Sequence, residues 1–304
     1  MTDVRTTAAG PAWGHHYLAV EPSHFRVEYE INPFMDTSVQ PDPSVVRAQW
    51  DAMVATLRDL GATVDVLEQR PDAPDMVYAM NLALAVRRED GSPHVMLSHM
   101  RYAQRRMETG SAAAWFDGHG FTSTWVGRDG VGAHLEAGDA FAFDGDLVVG
   151  FGPRTDEVGL KHLAHELGVR VRGLRIAHPG MYHLDLAFCP LGPGRAIVCP
   201  EAFDDASARA VLDLVPEPLV ISEQEALTTF AANSVVVGST VVMPGCPPHV
   251  RAVLEDWGYD VVVLDLGEFH KGGGSVRCLT NPLDVRVGRD LDPVGAGEVF
   301  LPRP

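Results

Sequence analysis

One local pattern recurs five times along this chain: a helical stripe of apolar residues, a break at glycine or proline, then a short apolar strand. Its first instance is the clearest. Val46, Trp50, Met53, Val54, Leu57 and Leu60 fall at spacings of three and four, which places them on one face of a helix over 43–61. Gly61 follows, where a left-handed cap is expected, and Val64, Val66 and Leu67 turn strand-like. The same grammar returns at Trp115–Gly120 before 121–126, at Leu163–Gly168 before 169–176, and at Val253–Gly258 before 261–266. At 211–216 proline makes the break, ahead of Leu219-Val220-Ile221. Further strand candidates lie between these units, at 82–86, 94–98, 140–143, 147–150, 184–189, 196–199 and 234–243. Taken alone, the repeat fits either five related α/β modules or an ordinary open α/β sheet. A closed ring of modules would put a functional site on its axis, built from one or two residues per module.

Composition narrows the function classes. Acidic residues exceed basic ones by 17, against a main partner made of nucleic acid, since phosphate binding needs a Lys/Arg-rich face. No stretch reaches the roughly 18–20 apolar residues of a membrane span, and Met1 to Trp13 lacks the basic and apolar regions of a signal peptide. The four cysteines are far apart, with neither a disulfide framework nor a zinc ribbon. The expectation is a soluble, acidic, cytoplasmic protein with a loose arm over 1–14, one catalytic domain over 15–283 and an extension over 284–304 of no assigned role.

Most chemistry-bearing residues have ordinary explanations. The loop His270-Lys271-Gly272-Gly273-Gly274-Ser275 lacks Walker A spacing, so its glycines are read as letting backbone pass close to another group. His162 and His165 lack a third metal ligand and are assigned to an exposed helix face; His15-His16 is equally weak. Cys189, Cys199 and Cys246 sit in apolar surroundings and are assigned to the core. Three segments stand apart. His134-Leu-Glu136-Ala-Gly138-Asp139 sets two carboxylates around a turn; Tyr182-His183-Leu184-Asp185, read as strand, points His183 and Asp185 to one face; Cys278 follows the glycine run. Together they offer a nucleophile, a base and carboxylates from separate segments, as a catalytic site requires.

At these residues the chain resembles the guanidine-modifying amidinotransferase (pentein) superfamily, in particular dimethylarginine dimethylaminohydrolases and arginine dihydrolases. The segments Glu136-Ala-Gly-Asp139, His183-Leu-Asp185 and Gly273 to Cys278 match its E-x-G-D, H-L-D and glycine-rich cysteine motifs, in order. Asp75 within Ala73-Pro-Asp-Met-Val-Tyr78 and Arg154 within Arg154-Thr-Asp156 match segments on the substrate rim. The resemblance implies a five-bladed α/β propeller. It also implies Cys278 as nucleophile, His183 as general acid/base and Glu136 as the residue orienting it. Asp185 would pair with the guanidinium, Arg105 and Arg154 would hold the substrate carboxylate, Asp75 would lie near the amino group, and Asp139 would be a structural or substrate-side acid. Asn81 and Asn32, the latter in Tyr29-Glu-Ile-Asn32-Pro-Phe-Met35, match the dihydrolase-like subgroup, although Phe34 stands where that subgroup has Trp and Met80 replaces a small residue.

A guanidinium is a stable cation and a poor electrophile. Attack on its carbon needs carboxylates to fix its N–H fork, a thiolate, and an acid/base to protonate the departing amine and then activate water. No metal or organic cofactor is implied. The favoured activity is hydrolysis of arginine to ornithine, carbon dioxide and ammonia. The alternatives are a dimethylargininase releasing citrulline and dimethylamine, an amidinotransferase, and a non-catalytic arginine-binding protein. The expected partner is the small-molecule substrate, with a homo-oligomer possible.

Overall fold

The computed structural model describes residue 8, residues 10–88 and 90–288, and the backbone of 299–300. Strand β1 (His16–Val20) runs through helix α1 (Pro43–Asp59) into β2 (Thr63–Leu67), parallel to β1. The second unit is β3 (Ala83–Arg87), β4 (Pro93–Leu97), α2 (Arg106–Gly118) and β5 (Thr122–Trp125), followed by a small hairpin, β6 (Gly127–Arg128) and β7 (Val131–Gly132). The third is β8 (Ala140–Phe143), β9 (Asp146–Phe151), α3 (Glu157–Leu167) and β10 (Val171–Arg175). The fourth is β11 (Phe188–Gly192), β12 (Arg195–Val198), α4 (Asp205–Leu214) and β13 (Glu217–Val220). After α5 (Glu223–Thr229) comes the fifth: β14 (Val235–Val237), β15 (Thr240–Met243), α6 (Pro248–Asp256) and β16 (Asp260–Val263). Strand β17 (Thr280–Pro282) then returns to β1, antiparallel, pairing Leu18 with Asn281.

Every blade thus has the same wiring: two antiparallel strands, a helix, and a third strand parallel to the second. The first strands of neighbouring blades touch, β17 on β3, β8 on β11 and β11 on β14, so they line the centre of a five-bladed α/β propeller. All five helix-to-strand junctions read from the sequence are present. At four of them Gly61, Gly120, Gly168 and Gly258 hold φ between +63° and +92°, a backbone region costly for any side chain.

Burial explains why the helices dock. Helix α1 starts at Asp42, whose carboxylate accepts from the Ser44 and Val45 amides, with Pro43 in the first turn. Its face of Val46, Trp50, Met53, Val54 and Leu57 is buried, each worth roughly 1.5–3 kcal/mol.

Two strand assignments change. Residues 234–243 form a hairpin rather than one strand, because Gly238 turns at φ +60° between β14 and β15. Residues 184–186 form a turn of 3-10 helix, and strand begins only at Phe188. Within the C-terminal extension, Val285–Arg286 (β18) adds to β3 and the backbone of Val299–Phe300 (β19) adds to β10; 289–298 and 301–304 lie outside the described residues, as does most of the N-terminal arm.

Candidate active site

The first strand of each blade is entered through a turn, and those turns carry the candidate residues. Asn81 lies on the 3-10 turn Ala79–Leu82 before β3, Glu136 precedes the turn Ala137–Asp139 before β8, and His183 precedes the turn Leu184–Leu186 before β11. Cys278 ends a turn before β17, where the Leu279 amide donates to Ser275 O and the Met80 amide donates to Cys278 O. Repetition of one device around the ring therefore brings these residues to a common centre.

Gly138 marks that centre. A Cβ built there would stand 2.6 Å from Asn81 Oδ1, 3.1 Å from Asp185 Oδ2 and 3.3 Å from His183 Nδ1. An amide, a carboxylate and an imidazole therefore converge on it, and this junction is the candidate substrate slot. His183 and Asp185 both face it, although they do so from a 3-10 turn and not from alternate positions of a strand. Among the described residues, His183 Nδ1 and Asp185 Oδ1 are buried and have no hydrogen-bond partner.

The other side of His183 is fixed. Its Nε2 lies 2.7 Å from Glu136 Oε2, and the same oxygen accepts from Arg154 Nη1 at 3.0 Å, while Glu136 Oε1 accepts from the Arg101 amide at 2.9 Å. Burial alone would raise the pKa of Glu136, but the Arg154 charge and the His183 hydrogen bond overcome it and hold the carboxyl well below its usual range. Glu136 is therefore ionised, and its partner makes Nε2–H the favoured tautomer of neutral His183. Asp139 Oδ1 accepts from the Leu184 amide at 2.9 Å, tying the two turns together, which is a structural role; burial pushes its carboxyl up to about 7.

Cys278 Sγ lies 3.2 Å from Asp185 Oδ2. Burial and then the Asp185 charge push the thiol well above its ordinary range, so it is a neutral S–H donating to the carboxylate. The glycines before it are explained by close packing. A Cβ on Gly272 would collide with Tyr78 Oη; one on Gly273 (φ +92°) would come within 2.7 Å of Asn32 Oδ1 and Tyr182 Oη; one on Gly274 would be 2.9 Å from Cys278 Cβ. Tyr78 and Tyr182 hold the loop through bonds to Phe269 O and Gly273 O.

The two arginines expected to hold the substrate carboxylate are also engaged within the protein. Arg154 is bound to Glu136 and Ile31 O and lies between the Tyr102 and Tyr182 rings, 4.7 and 4.6 Å from their centroids. Arg105 makes a two-pronged pair with Glu108, at 2.9 and 2.8 Å, and also donates to Asp75 O. Asp75 Oδ2 is 3.9 Å from Arg105 Nε, and burial raises its pKa. Asn32 donates to Gly272 O and accepts from the Phe34 amide, so it tethers the loop over 21–42 to the glycine run.

Sequence reasoning missed Glu108 and Asn233. Glu108 is signalled only by its place three residues after Arg105, one turn along α2. Asn233 occupies the turn before β14, two residues ahead of the strand, as Asn81 precedes β3 and Cys278 precedes β17. Elsewhere, Cys189 and Cys199 are buried and Cys246 half-buried, His162 and His165 are exposed on α3, and His16 pairs with Asp65 at 2.7 Å.

What the slot leaves open is an acceptor on Asp185 and a ring nitrogen on His183, with a thiol beside the same carboxylate. A flat cation with N–H donors answers the first, and attack on its carbon uses the others. The class so defined is a hydrolase of guanidino C–N bonds on a five-bladed propeller. Comparison with known proteins agrees: a family model described as N,N dimethylarginine dimethylhydrolase, eukaryotic, matches residues 21–285. The chain belongs to this family of the pentein superfamily. It is 32% identical to the dimethylarginine dimethylaminohydrolase of Mycobacterium tuberculosis, over 87% of this chain and 84% of that one. It is 33% identical to the bifunctional arginine dihydrolase/ornithine cyclodeaminase of Synechocystis over 86% of this chain, which spans only 37% of that longer protein. The N-terminal domain of that cyanobacterial arginine dihydrolase, solved with substrate bound, superposes with a TM-score of 0.83 at 31% identity, covering 90% of this chain and 99% of that domain. Among the described residues no helix is long and apolar enough to cross a membrane.

Proposed function

We propose that this guanidino hydrolase is an arginine dihydrolase, converting arginine and two waters into ornithine, carbon dioxide and two ammonia. The observation that carries the reading is Asn81. Its Oδ1 accepts from the Gly138 amide at 3.0 Å, which leaves its amide nitrogen, a donor, to meet a ligand in the slot. Hydrolysis of arginine first gives citrulline, whose ureido group is neutral. A second carboxylate at position 81 would find no cation there and would be left buried and uncompensated; an amide can donate to the ureido oxygen instead. Citrulline can then stay for a second attack at the same carbon.

The proposed steps use these groups in turn. The guanidinium pairs with Asp185, replacing the thiol as partner of that carboxylate; its charge favours thiolate on Cys278, and the thiol proton passes to His183 Nδ1. Sγ bonds to the guanidino carbon, the tetrahedral adduct takes a proton from His183, and ammonia leaves. Water, deprotonated by His183, then adds to the S-alkylthiouronium carbon, and the C–S bond breaks to return the thiolate. A second cycle on citrulline expels the second ammonia and then a carbamate, which loses carbon dioxide. Glu136 orients His183 throughout. Arg105 and Arg154 are assigned to the substrate carboxylate through donors they do not use in the protein, Asp75 to the amino group, and Asn32 to the loop over the site.

The family match and the mycobacterial relative favour a second reading, a dimethylargininase releasing citrulline and dimethylamine. Arginine carrying 13C at the guanidino carbon separates the two. The first reading expects ornithine and labelled carbon dioxide, with Asn81→Asp shifting the product toward citrulline. If wild-type protein yields only citrulline, and converts dimethylarginine to citrulline and dimethylamine, the second reading replaces it.

A further inference from the structure

We propose that Asn233 is a catalytic residue of this site, a donor aimed at the sulfur of Cys278 that favours its thiolate form. The inference rests on Cys278 being the nucleophile and adds a residue to that reading. Asn233 is fully buried, and its side chain uses all four of its hydrogen-bonding positions. Oδ1 accepts from the amides of Arg277 at 3.1 Å and Cys278 at 3.3 Å; Nδ2 donates to Asp185 O at 3.1 Å and to Cys278 Sγ at 3.1 Å. Turning the amide over would face its NH2 with two backbone N–H groups, so the network fixes which end meets the sulfur.

The polar neighbours of Sγ pull in opposite directions, Asp185 one way, Asn233 and the Ser275 backbone amide the other. Asp185 Oδ2 can only accept and favours the protonated thiol. Asn233 Nδ2 can only donate, and a donor bonds far more strongly to a thiolate than to a thiol. In the empty site the carboxylate prevails. Once a guanidinium engages Asp185, the donors left at the sulfur are the Ser275 backbone amide and the Asn233 side-chain N–H, and the balance moves to thiolate. Substrate arrival thereby switches the nucleophile on, and Asn233 also joins the turn of Cys278 to the turn of Asp185, keeping the sulfur in line.

The test reads the thiol and not turnover. Alkylation of Cys278 by iodoacetamide is followed against pH by peptide mass in wild type, Asn233→Asp and Asn233→Ser. Loss of a hydrogen bond to a charged group should raise the midpoint of reactivity by roughly one to two pH units. An unchanged midpoint in either variant with native near-ultraviolet circular dichroism overturns the proposal. Should neither variant fold, wild type decides. The chain has four asparagines, Asn32, Asn81, Asn233 and Asn281, so 15N-asparagine labelling gives a tractable set of side-chain amide signals. The Asn233 signal should move with the alkylation midpoint and stay still in Cys278→Ala; a signal indifferent to the ionisation of Cys278 overturns the proposal. A protein that hydrolyses no guanidino compound but shows the shifted midpoint would sink the function and leave this inference standing. Turnover with an unmoved midpoint does the reverse.

Discussion

Replacing Glu136 by glutamine removes one charge and leaves the shape almost unchanged, which makes its cost calculable from the contacts. The carboxylate meets only donors: His183 Nε2 and Arg154 Nη1 at one oxygen, the Arg101 amide at the other. A glutamine amide has one oxygen and one NH2, so either orientation sets donor against donor. Arg154, 2% exposed, also loses its buried counter-charge. Breaking a buried pair from one side costs about 3–5 kcal/mol, a large share of a stability of roughly 5–15 kcal/mol. At pH 7 the melting temperature should fall by about 5–8 °C, read by calorimetry with urea unfolding as a second measure. The pH dependence has a definite sign. A carboxyl whose native pKa lies below its ordinary 4.5 stabilises the fold above that value and loses the effect as pH falls through the native pKa. The gap between wild type and variant should therefore narrow below about pH 4.5. A Glu136→Gln protein melting within about 1 °C of wild type at pH 7 would refute the account of this network.

Cys278→Ser should lose turnover while keeping its fold, His183→Ala should be nearly as severe, and the double variant should be no worse than the more severe single one; additive losses in steady-state rates would show they do not act as a unit. Gly138→Ala places a methyl 2.6 Å from Asn81 Oδ1 in the slot, so arginine turnover should fall far more than thermal stability, and an unimpaired kcat/KM would mean the substrate lies elsewhere. Asp139, with its native pKa raised to about 7, favours the fold most below its ordinary 3.8 and loses that contribution as pH rises to about 7. Asp139→Asn should flatten urea stability between about pH 4 and 7, and an unaltered slope would exclude Asp139 as its source.

The five helix-to-strand junctions were legible because each combines a helical stripe with a break, glycine suited to left-handed backbone at four and proline at the fifth, and both are local signals. The closure of β17 on β1 is not local, and only the family resemblance carried it. For the candidate site, Cys278, His183, Glu136 and Asp185 were singled out through ordered motifs, yet the geometric argument for His183 and Asp185 used the wrong element. Leu184 and Leu186 alternate with them as in a strand, but they anchor a 3-10 turn, and the shared direction comes from the slot at Gly138. The engagement of Arg105 with Glu108 escaped notice because an i, i+3 pair on a helix usually lies on a solvated face. Asn233 had no distinguishing chemistry in Ala231-Ala-Asn-Ser234; only its place in the repeat, seen once the blades are aligned, gives it meaning.

The pairing of β17 with β1 joins strands separated by nearly the whole described chain, whereas the three main strands of each of the other four blades follow one another in sequence. Closing so long a loop is entropically expensive, so blades can form early and the ring can close only late. Cys278 hangs from the closing strand, two residues before its first paired position. The thiol proposed as nucleophile therefore meets Asp185 and Asn233 only with ring closure, and a chain whose ring is open lacks those contacts. Folding itself acts as the safety catch on the nucleophile.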